Sequence, residues 1–312
     1  MEISSPYWKN ELVSVIIPCY NHAHYLPVAI ESVLNQSHSA IEIIVVDDGS
    51  TDNTKQVALN YPQVKYIWQQ NQGLPASRNT GIRNCTGDYI VFLDADDWLY
   101  TDAIKTNLRY LRQNDQLAFV SGAYEEVKEI NKVNLICKNE ITSNHYQQLL
   151  FSNYVGMIST VLYRRWVFDE VLFDESLKAC EDYDLYLKIT RRHPVLHHTE
   201  TIAAYRRHQS NMSLDYPLML SSSLTVLQQQ RSELKTVQEF EAYKKGQRFW
   251  KKYYAQKTYQ KARMANSGYT KRDLSFLLKN SPFLFFKFII VHPLRKLIGN
   301  KLQFSDIKRK YL

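Results

Sequence analysis

Three aspartates follow an apolar run within one short stretch of the chain. The stretch VFLDADDWLY, residues 91–100, contains Asp94, Asp96 and Asp97. Residues i and i+2 of an extended segment point to the same side, so Asp94 and Asp96 can direct their carboxylates to one place. A divalent cation relieves the repulsion between such groups, and Mg²⁺ typically takes one or two protein carboxylates together with substrate phosphates. The stretch therefore predicts a Mn²⁺ or Mg²⁺ site beside the phosphates of a nucleotide.

A structural role is the alternative for these acids. Aspartates commonly follow strands and cap helices, and a helix could begin near Tyr100. That interpretation suffices for a single aspartate. Three aspartates directly after a buried strand favour the metal site instead.

Two other predicted strands also end in polar or aromatic residues. The run IEIIVVDD (41–48) ends in Asp47 and Asp48, and the run VSVIIPCY (13–20) ends in Tyr20. Ligands of open α/β sheets gather at the carboxyl ends of the strands, so Tyr20 could hold a base and Asp48 could accept a ring N–H. A packed tyrosine and a turn aspartate are the alternatives. The following segment, PCYNHAHYL, lacks the GxGxxG pattern, which argues against a dinucleotide cofactor.

The spacing of apolar residues predicts an α/β fold for the first part of the chain. Apolar runs of strand length alternate with segments of helical periodicity, which is typical of a sheet covered by helices. The predicted strands are residues 13–20, 41–48, 64–70, 87–94, 116–127 and 157–165, and a helix is predicted over residues 181–192. Beyond residue 214 the chain is rich in Gln, Lys, Arg and Tyr. We therefore expect a catalytic domain over residues 1–214 and a basic, aromatic helical extension over residues 215–312.

Composition and net charge exclude few classes of binding partner. The net charge of +8 suits nucleic acid, an anionic membrane surface or phosphorylated substrates. The four cysteines form no CxxC pair, so no zinc site or disulfide framework is indicated. The N-terminal residues lack an apolar signal-peptide core, and no run reaches the length of a spanning helix, so a cytoplasmic location is expected.

One C-terminal segment combines apolar, aromatic and basic residues. The stretch SPFLFFKFIIVHPLRKLIG, residues 281–299, is interrupted by Lys287, His292 and Pro293. Its composition suits a segment that lies in the membrane interface. Packing against the catalytic domain is the alternative. If the segment binds membrane, a lipid-linked acceptor becomes plausible.

A succession of motifs resembles the family 2 glycosyltransferases with a GT-A fold. The motifs are VSVIIPCYN (13–21), IVVDDGSTDNT (44–54), NQGLPASRNTGI (71–82), GDYIVFLDADD (87–97), EDYDLYLKI (181–189) and YRRHQSNMS (205–213). They occur in the family's order and cover roughly the first two thirds of the chain. The resemblance implies a Rossmann-like mixed sheet between helices.

The resemblance also implies a role for individual residues. It implies that Pro18, Tyr20 and Asp48 hold the nucleoside of a nucleotide sugar. Arg78 and the DxD acids Asp94 and Asp96 would lie at the nucleotide and its diphosphate. The metal would be held by Asp96, with Asp97 and His208 as further ligands. Asp182 matches the family's catalytic base, with Glu181 beside it.

The predicted function is a metal-dependent, inverting glycosyltransferase. A carboxylate would take the proton of an acceptor hydroxyl while a diphosphate departs. We expect a UDP-sugar as donor and a glycan, a lipid-linked intermediate or another surface-polymer precursor as acceptor.

Several alternatives remain open at the level of sequence. The acids Glu181 and Asp182 suit the dipole at a helix start whatever the function, and His208 lies among arginines that could form a solvated patch. Nucleotidyl transfer, glycoside hydrolysis and a purely binding role on the same scaffold are the rival functions. Nucleic acid is not expected as a partner, because every acid of the predicted pocket is present.

Overall fold

The computed structural model describes residues 11–128, 134–264 and 270–298. Nine strands form one sheet within these ranges. They are β1 (Val13–Cys19), β2 (Ile41–Asp47), β3 (Val64–Trp68), β4 (Tyr89–Phe92), β5 (Trp98–Leu99), β6 (Phe119–Lys128), β7 (Asn134–Cys137), β8 (Val161–Arg164) and β9 (Leu196–Arg207). The strand order is β3-β2-β1-β4-β8-β6-β9-β5, and β7 pairs with β6.

Helices cover both faces of this sheet. In chain order they are α1 (Leu26–Leu34), α2 (Thr54–Leu59), α3 (Leu74–Asn84), α4 (Ala103–Leu111), α5 (His145–Phe151), α6 (Val167–Glu170), α7 (Glu181–Thr190), α8 (Tyr216–Gln229), α9 (Val237–Met264), α10 (Lys271–Asn280) and α11 (Pro282–Ile298). Strands β1 to β4 are parallel, whereas β8 is antiparallel to β4 and β6. The prediction of a mixed α/β sheet between helices is therefore confirmed.

Strand β1 lies in the centre of the parallel part and is buried along its whole length. Parallel strands that are covered on both faces have continuous apolar sequences, and VSVIIPC is such a sequence. Successive side chains point to opposite faces, so Ile16 joins the apolar cluster on one face while Val15 and Ile17 join the cluster on the other. The apolar clusters on both faces hold the sheet between the helices. Because β1, β2 and β4 are parallel, their carboxyl ends lie on the same side of the sheet.

The C-terminal helix α9 packs into the apolar core on one face of the sheet. Tyr243, Trp250 and Tyr254 of α9 belong to the same apolar cluster as Ile16 of β1. Helix α11 packs in turn on α9, with Leu284 and Phe288 buried beside Tyr259. The boundary at residue 214 stays a prediction. Within the described residues, no helix is both long and apolar enough to cross a lipid bilayer.

Strand β9 is a long strand that the apolar pattern did not predict. Its segment LHHTETIAAYRR alternates irregularly between buried and exposed residues, and its pairing with β6 contains register shifts. Such irregularities obscure the two-residue period by which strands are recognised. The strand carries Arg206 to the acids that follow β4.

Candidate functional site

The nucleotide side of the site lies where β1 and β2 end. The two strands are parallel and pair Cys19 with Asp47, which brings the next residues, Tyr20 and Asp48, to neighbouring positions. The side chain of Tyr20 is 49% exposed although the strand before it is buried. Its ring is therefore accessible from solvent, and its contact with a base stays a prediction.

Asp48 is buried and organises the loop beyond β3. Its Oδ1 accepts from Gln69 Nε2 at 2.7 Å and from the Gln72 N–H at 2.9 Å, and its Oδ2 accepts from the Gly73 N–H at 2.8 Å. Gly73 has a φ of +93°, a conformation that disfavours residues with a Cβ. A base that bonds to Asp48 would share this carboxylate with the loop. Each carboxylate oxygen can accept two hydrogen bonds, and among the described residues Oδ2 accepts only the one from Gly73.

The acids after β4 form a tight turn in which each has a different environment. The Asp97 N–H donates to the Asp94 carbonyl at 3.0 Å. Asp97 is buried, and its Oδ1 accepts from the Arg206 N–H at 2.8 Å. Burial, together with the charges of Asp96 and Asp94, raises the pKa of Asp97 well above its usual value. Its Oδ2 has no hydrogen-bond partner among the described residues.

Asp96 is the acid that meets the histidine from the end of β9. His208 Nε2 lies 2.8 Å from Asp96 Oδ2, and His208 Nδ1 lies 2.8 Å from Ser210 Oγ. Asn211 Nδ2 also donates to Asp96 Oδ2, at 3.3 Å. Residues separated by more than a hundred positions in sequence are thus in contact, and their role as metal ligands stays a prediction.

Arg78 of α3 joins the acids after β4 to the start of α7. Its side chain is only 2% exposed. Nη2 donates to Asp94 Oδ1 at 2.7 Å, and Nη1 donates to Glu181 Oε1. The two carboxylates in turn raise the pKa of the guanidinium against the opposing effect of burial. The two hydrogen bonds of Arg78 therefore go to acids of the protein, its guanidinium lies over the Phe173 ring at 5.4 Å, and its expected contact with the nucleotide stays a prediction.

The two acids at the start of α7 point in different directions. Cys180, the residue before the helix, has a φ of +64°, and Glu181 turns toward Arg78. Asp182 instead lines a cavity of about 390 Å³ that opens between the sheet and α9. Burial and the Glu181 carboxylate raise the pKa of Asp182 to about 7, although Arg78 opposes the shift. A carboxyl with such a pKa suits proton transfer near neutral pH.

About half of the chain matches the sequence profile of a known family. The sequence profile of Glycosyl transferase family 2 matches residues 14–172, which is just over half of the chain. The chain belongs to glycosyltransferase family 2. The matched segment contains the acids after β2 and β4, whereas Asp182 and His208 lie beyond it.

Curated relatives of this glycosyltransferase agree with the profile. A glycosyltransferase of Rickettsia prowazekii is 31% identical over 237 residues, which cover 74% of this chain and 69% of that protein. Chondroitin synthase of Escherichia coli is 34% identical over 197 residues, or 60% of this chain and 27% of the synthase. The chain also matches 31% of the length of a glycosyltransferase of Rickettsia felis, at 34% identity. It therefore spans about a third of the length of several relatives.

Solved structures share the fold. TarS 1-349 of S. aureus in complex with UDP-GlcNAc superposes with a TM-score of 0.62 at 16% identity, covering 89% of this chain and 91% of that one. Mannosyltransferase PcManGT of Pyrobaculum calidifontis, in complex with GDP-Man and Mn²⁺, gives a TM-score of 0.60 at 15% identity, with coverages of 90% and 82%. The expected GT-A fold is confirmed by these likenesses.

The donor set around Asp96 is compatible with a divalent cation that also binds substrate. Among the described residues, no three acids, histidines or cysteines are grouped as a complete metal site. Asp96 and His208 nevertheless supply one carboxylate and one imidazole in direct contact. Mg²⁺ and related ions are commonly held by one or two carboxylates while substrate phosphates complete the shell. The residues present fit that type of site.

The sequence analysis missed an aromatic and cationic group beside the metal-site residues. His22 and Tyr25 have their rings 6.0 and 4.9 Å from that of His208. The guanidinium of Arg206 lies over the rings of Tyr25 and Trp98, at 5.0 and 4.8 Å. Burial lowers the pKa of His22. The signal was the pair of histidines in NHAHY directly after the first strand.

Proposed function

We propose that this family 2 enzyme transfers a sugar, with inversion, from a UDP-sugar to a hydroxyl group of a glycan or lipid-linked surface-polymer precursor. One observation carries the proposal. Arg78 bonds Asp94 and Glu181 at once, so one buried guanidinium joins an acid expected at the diphosphate to the residue next to the expected base, Asp182. Related structures with UDP-GlcNAc and GDP-Man support a nucleotide-sugar donor.

The proposed reaction is a single displacement at the anomeric carbon. The acceptor oxygen forms a bond to this carbon while the bond to the diphosphate oxygen breaks, and UDP leaves on the opposite face. Asp182 accepts the proton of the acceptor hydroxyl. Tyr20 stacks on the base, and Asp48 with the loop that it organises holds the nucleoside. Asp96 and His208, assisted by Asp97, would hold Mn²⁺ or Mg²⁺, which stabilises negative charge on the leaving group.

We expect Asp96→Asn to weaken the binding of UDP in the presence of Mn²⁺ by at least about tenfold, because a neutral amide is a much poorer ligand than a carboxylate. Isothermal titration calorimetry with UDP, with and without Mn²⁺, measures the effect. Asp115→Asn is the matched control, because that side chain is 82% exposed and lies in a different part of the fold. Equal UDP affinity of wild type and Asp96→Asn at every Mn²⁺ concentration would argue against the metal assignment.

The exposed side of α11 supports a further part of the proposal, contact with a membrane surface. Leu284 and Phe288 pack on α9, whereas Phe283, Phe286 and Ile290 are exposed. The three exposed residues are spaced by three and four positions and so share one face of the helix. Lys287 lies among them, and an apolar face with basic residues favours the interface of an anionic membrane.

The double variant Phe283→Ser/Phe286→Ser should sediment less with vesicles of phosphatidylcholine and phosphatidylglycerol than wild type does. Removing two exposed rings removes the apolar surface that would enter the interface. Leu135→Ser/Ile136→Ser is the control, because these residues of β7 are also exposed and apolar. If wild type stays in the supernatant, or if both double variants behave alike, the membrane role of α11 is wrong.

A further inference from the structure

The cavity beside Asp182 is large enough for a small organic ligand. Its volume of about 390 Å³ lies within the range of ligand pockets in proteins. Asp182 forms part of its wall, together with residues of β6, β9, α7, α8 and α9. Glu181, by contrast, is turned to Arg78. The cavity therefore meets the side of α7 from which the proposed base acts.

Helix α9 supplies an aromatic wall of this cavity. Phe249, Trp250, Tyr253 and Tyr254 line it. Trp250 stacks on Tyr254 with a ring separation of 5.5 Å and an angle of 17°, and Trp250 also contacts Tyr183 of α7 edge-on at 5.9 Å. The rings of Tyr183, Trp250 and Tyr254 are buried, and Trp250 contacts both tyrosines. Tyr253, which is 40% exposed, is the ring that a ligand can reach from solvent.

Polar groups lie at the same cavity and are suited to hydroxyl groups. Arg207 Nε of β9 lies 3.5 Å from Glu126 Oε1 of β6, and both side chains line the cavity. The Lys257 ammonium lies over the ring of Tyr253 at 5.4 Å. The group offers both donors and acceptors, with charges of both signs. A long hydrocarbon chain would displace water from these groups without forming hydrogen bonds to them, which is costly.

We propose that this cavity binds the acceptor, and that the acceptor presents a sugar ring to it. A sugar ring has one face of C–H bonds, which packs on an aromatic ring, and hydroxyl groups at its rim, which need donors and acceptors. Tyr253 and the rings behind it supply the aromatic surface, and Glu126, Arg207 and Lys257 supply the polar contacts. The inference rests on the proposed function, because it takes Asp182 as the base.

The assignment gives the C-terminal region a specific role. The family profile ends at residue 172, whereas α9 begins at Val237. The acids after β2 and β4 therefore lie in the matched part, whereas the aromatic wall that α9 supplies to the cavity lies outside it. We infer that α9 selects the acceptor sugar.

The test measures sugar binding to UDP-loaded protein. Labelled protein is applied to an array of immobilised neutral and acidic oligosaccharides and, in parallel, to vesicles containing polyprenyl phosphate without sugar. The affinity for the strongest oligosaccharide is then measured by calorimetry. We expect Tyr253→Ala to weaken it by about tenfold, the effect of losing one stacked aromatic contact. Thermal melting checks that Tyr253→Ala is folded.

Phe240→Ala is the matched control for the loss of an exposed ring. Phe240 lies on the same helix and is 39% exposed, and its ring contacts Lys244 just as that of Tyr253 contacts Lys257. We expect this variant to bind the oligosaccharide as wild type does. A second variant, Lys257→Ala, should weaken binding without removing a ring.

The outcomes separate this inference from the proposed function. If Tyr253→Ala and Lys257→Ala both bind the oligosaccharide as tightly as wild type, the cavity is not the acceptor site. If UDP binds but no oligosaccharide does, or if the protein recognises only polyprenyl phosphate, the sugar assignment is overturned. If no nucleoside diphosphate binds at all, the proposed function itself fails before the acceptor is considered.

Discussion

Replacing Asp182 with asparagine should lower the rate of sugar transfer by roughly 10²–10⁴-fold, the contribution typical of a positioned general base. Asparagine has nearly the same shape as aspartate but cannot take a proton from the acceptor hydroxyl. The Asp182 side chain lines the cavity and makes no hydrogen bond to Asp96 or His208 among the described residues, so UDP binding should persist. Transfer is measured as UDP release with acceptor present, and UDP binding is measured by calorimetry.

The pH dependence provides an independent readout of the same residue. Burial and the Glu181 carboxylate raise the pKa of Asp182, so the base becomes protonated as pH falls through the neutral region. The rate at low acceptor concentration should therefore decline below about neutral pH, whereas an ordinary aspartate would act down to about pH 4. Asp182→Glu should retain part of the activity because it keeps a carboxylate. Unchanged turnover in Asp182→Asn would remove this residue from the base role.

Replacing Arg78 with methionine should lower the free energy of unfolding by about 3–5 kcal/mol, the cost typical of removing one partner from a buried ion pair. The guanidinium is buried and bonds both Asp94 and Glu181. Methionine fills a similar volume but leaves two carboxylates without their cation. Arg78 also opposes the rise in the pKa of Asp94, so this acid should become easier to protonate in the variant. Urea unfolding followed by circular dichroism measures the stability.

The control for this loss lies on the same helix. Arg83 of α3 is exposed and bonds only the nearby Thr80 hydroxyl among the described residues. Arg83→Met should change the unfolding free energy by less than about 0.5 kcal/mol, as is usual for surface positions. Arg78→Lys should not restore wild-type stability, because an ammonium lacks the fork that reaches two acids. Equal stability of Arg78→Met and wild type would contradict a structural role for the network.

The local sequence was sufficient to predict the parallel half of the sheet. Strands β1, β2 and β4 are largely apolar runs followed by polar or aromatic residues, because they are buried between helices and end on the same side of the sheet. Strand β3, at the edge of the sheet, is only partly buried. That pattern also identified Asp48 and Asp96 as residues at strand ends. Parallel pairing of β1 with both β2 and β4 places these strand ends on the same side of the sheet. These features depend on short-range periodicity, which a single sequence contains.

The tertiary structure alone decided how distant segments meet. Nothing in the spacing of Arg78 predicts that its side chain is buried between Asp94 and Glu181, since the same helix could present it to solvent. The irregular strand β9 carries Arg206 and His208 to the acids after β4, and α9 closes the cavity at Asp182. Such contacts join residues far apart in the chain, and they depend on how all elements pack at once. The sequence by itself thus determined which groups stand at the strand ends, and packing determined which of them act together.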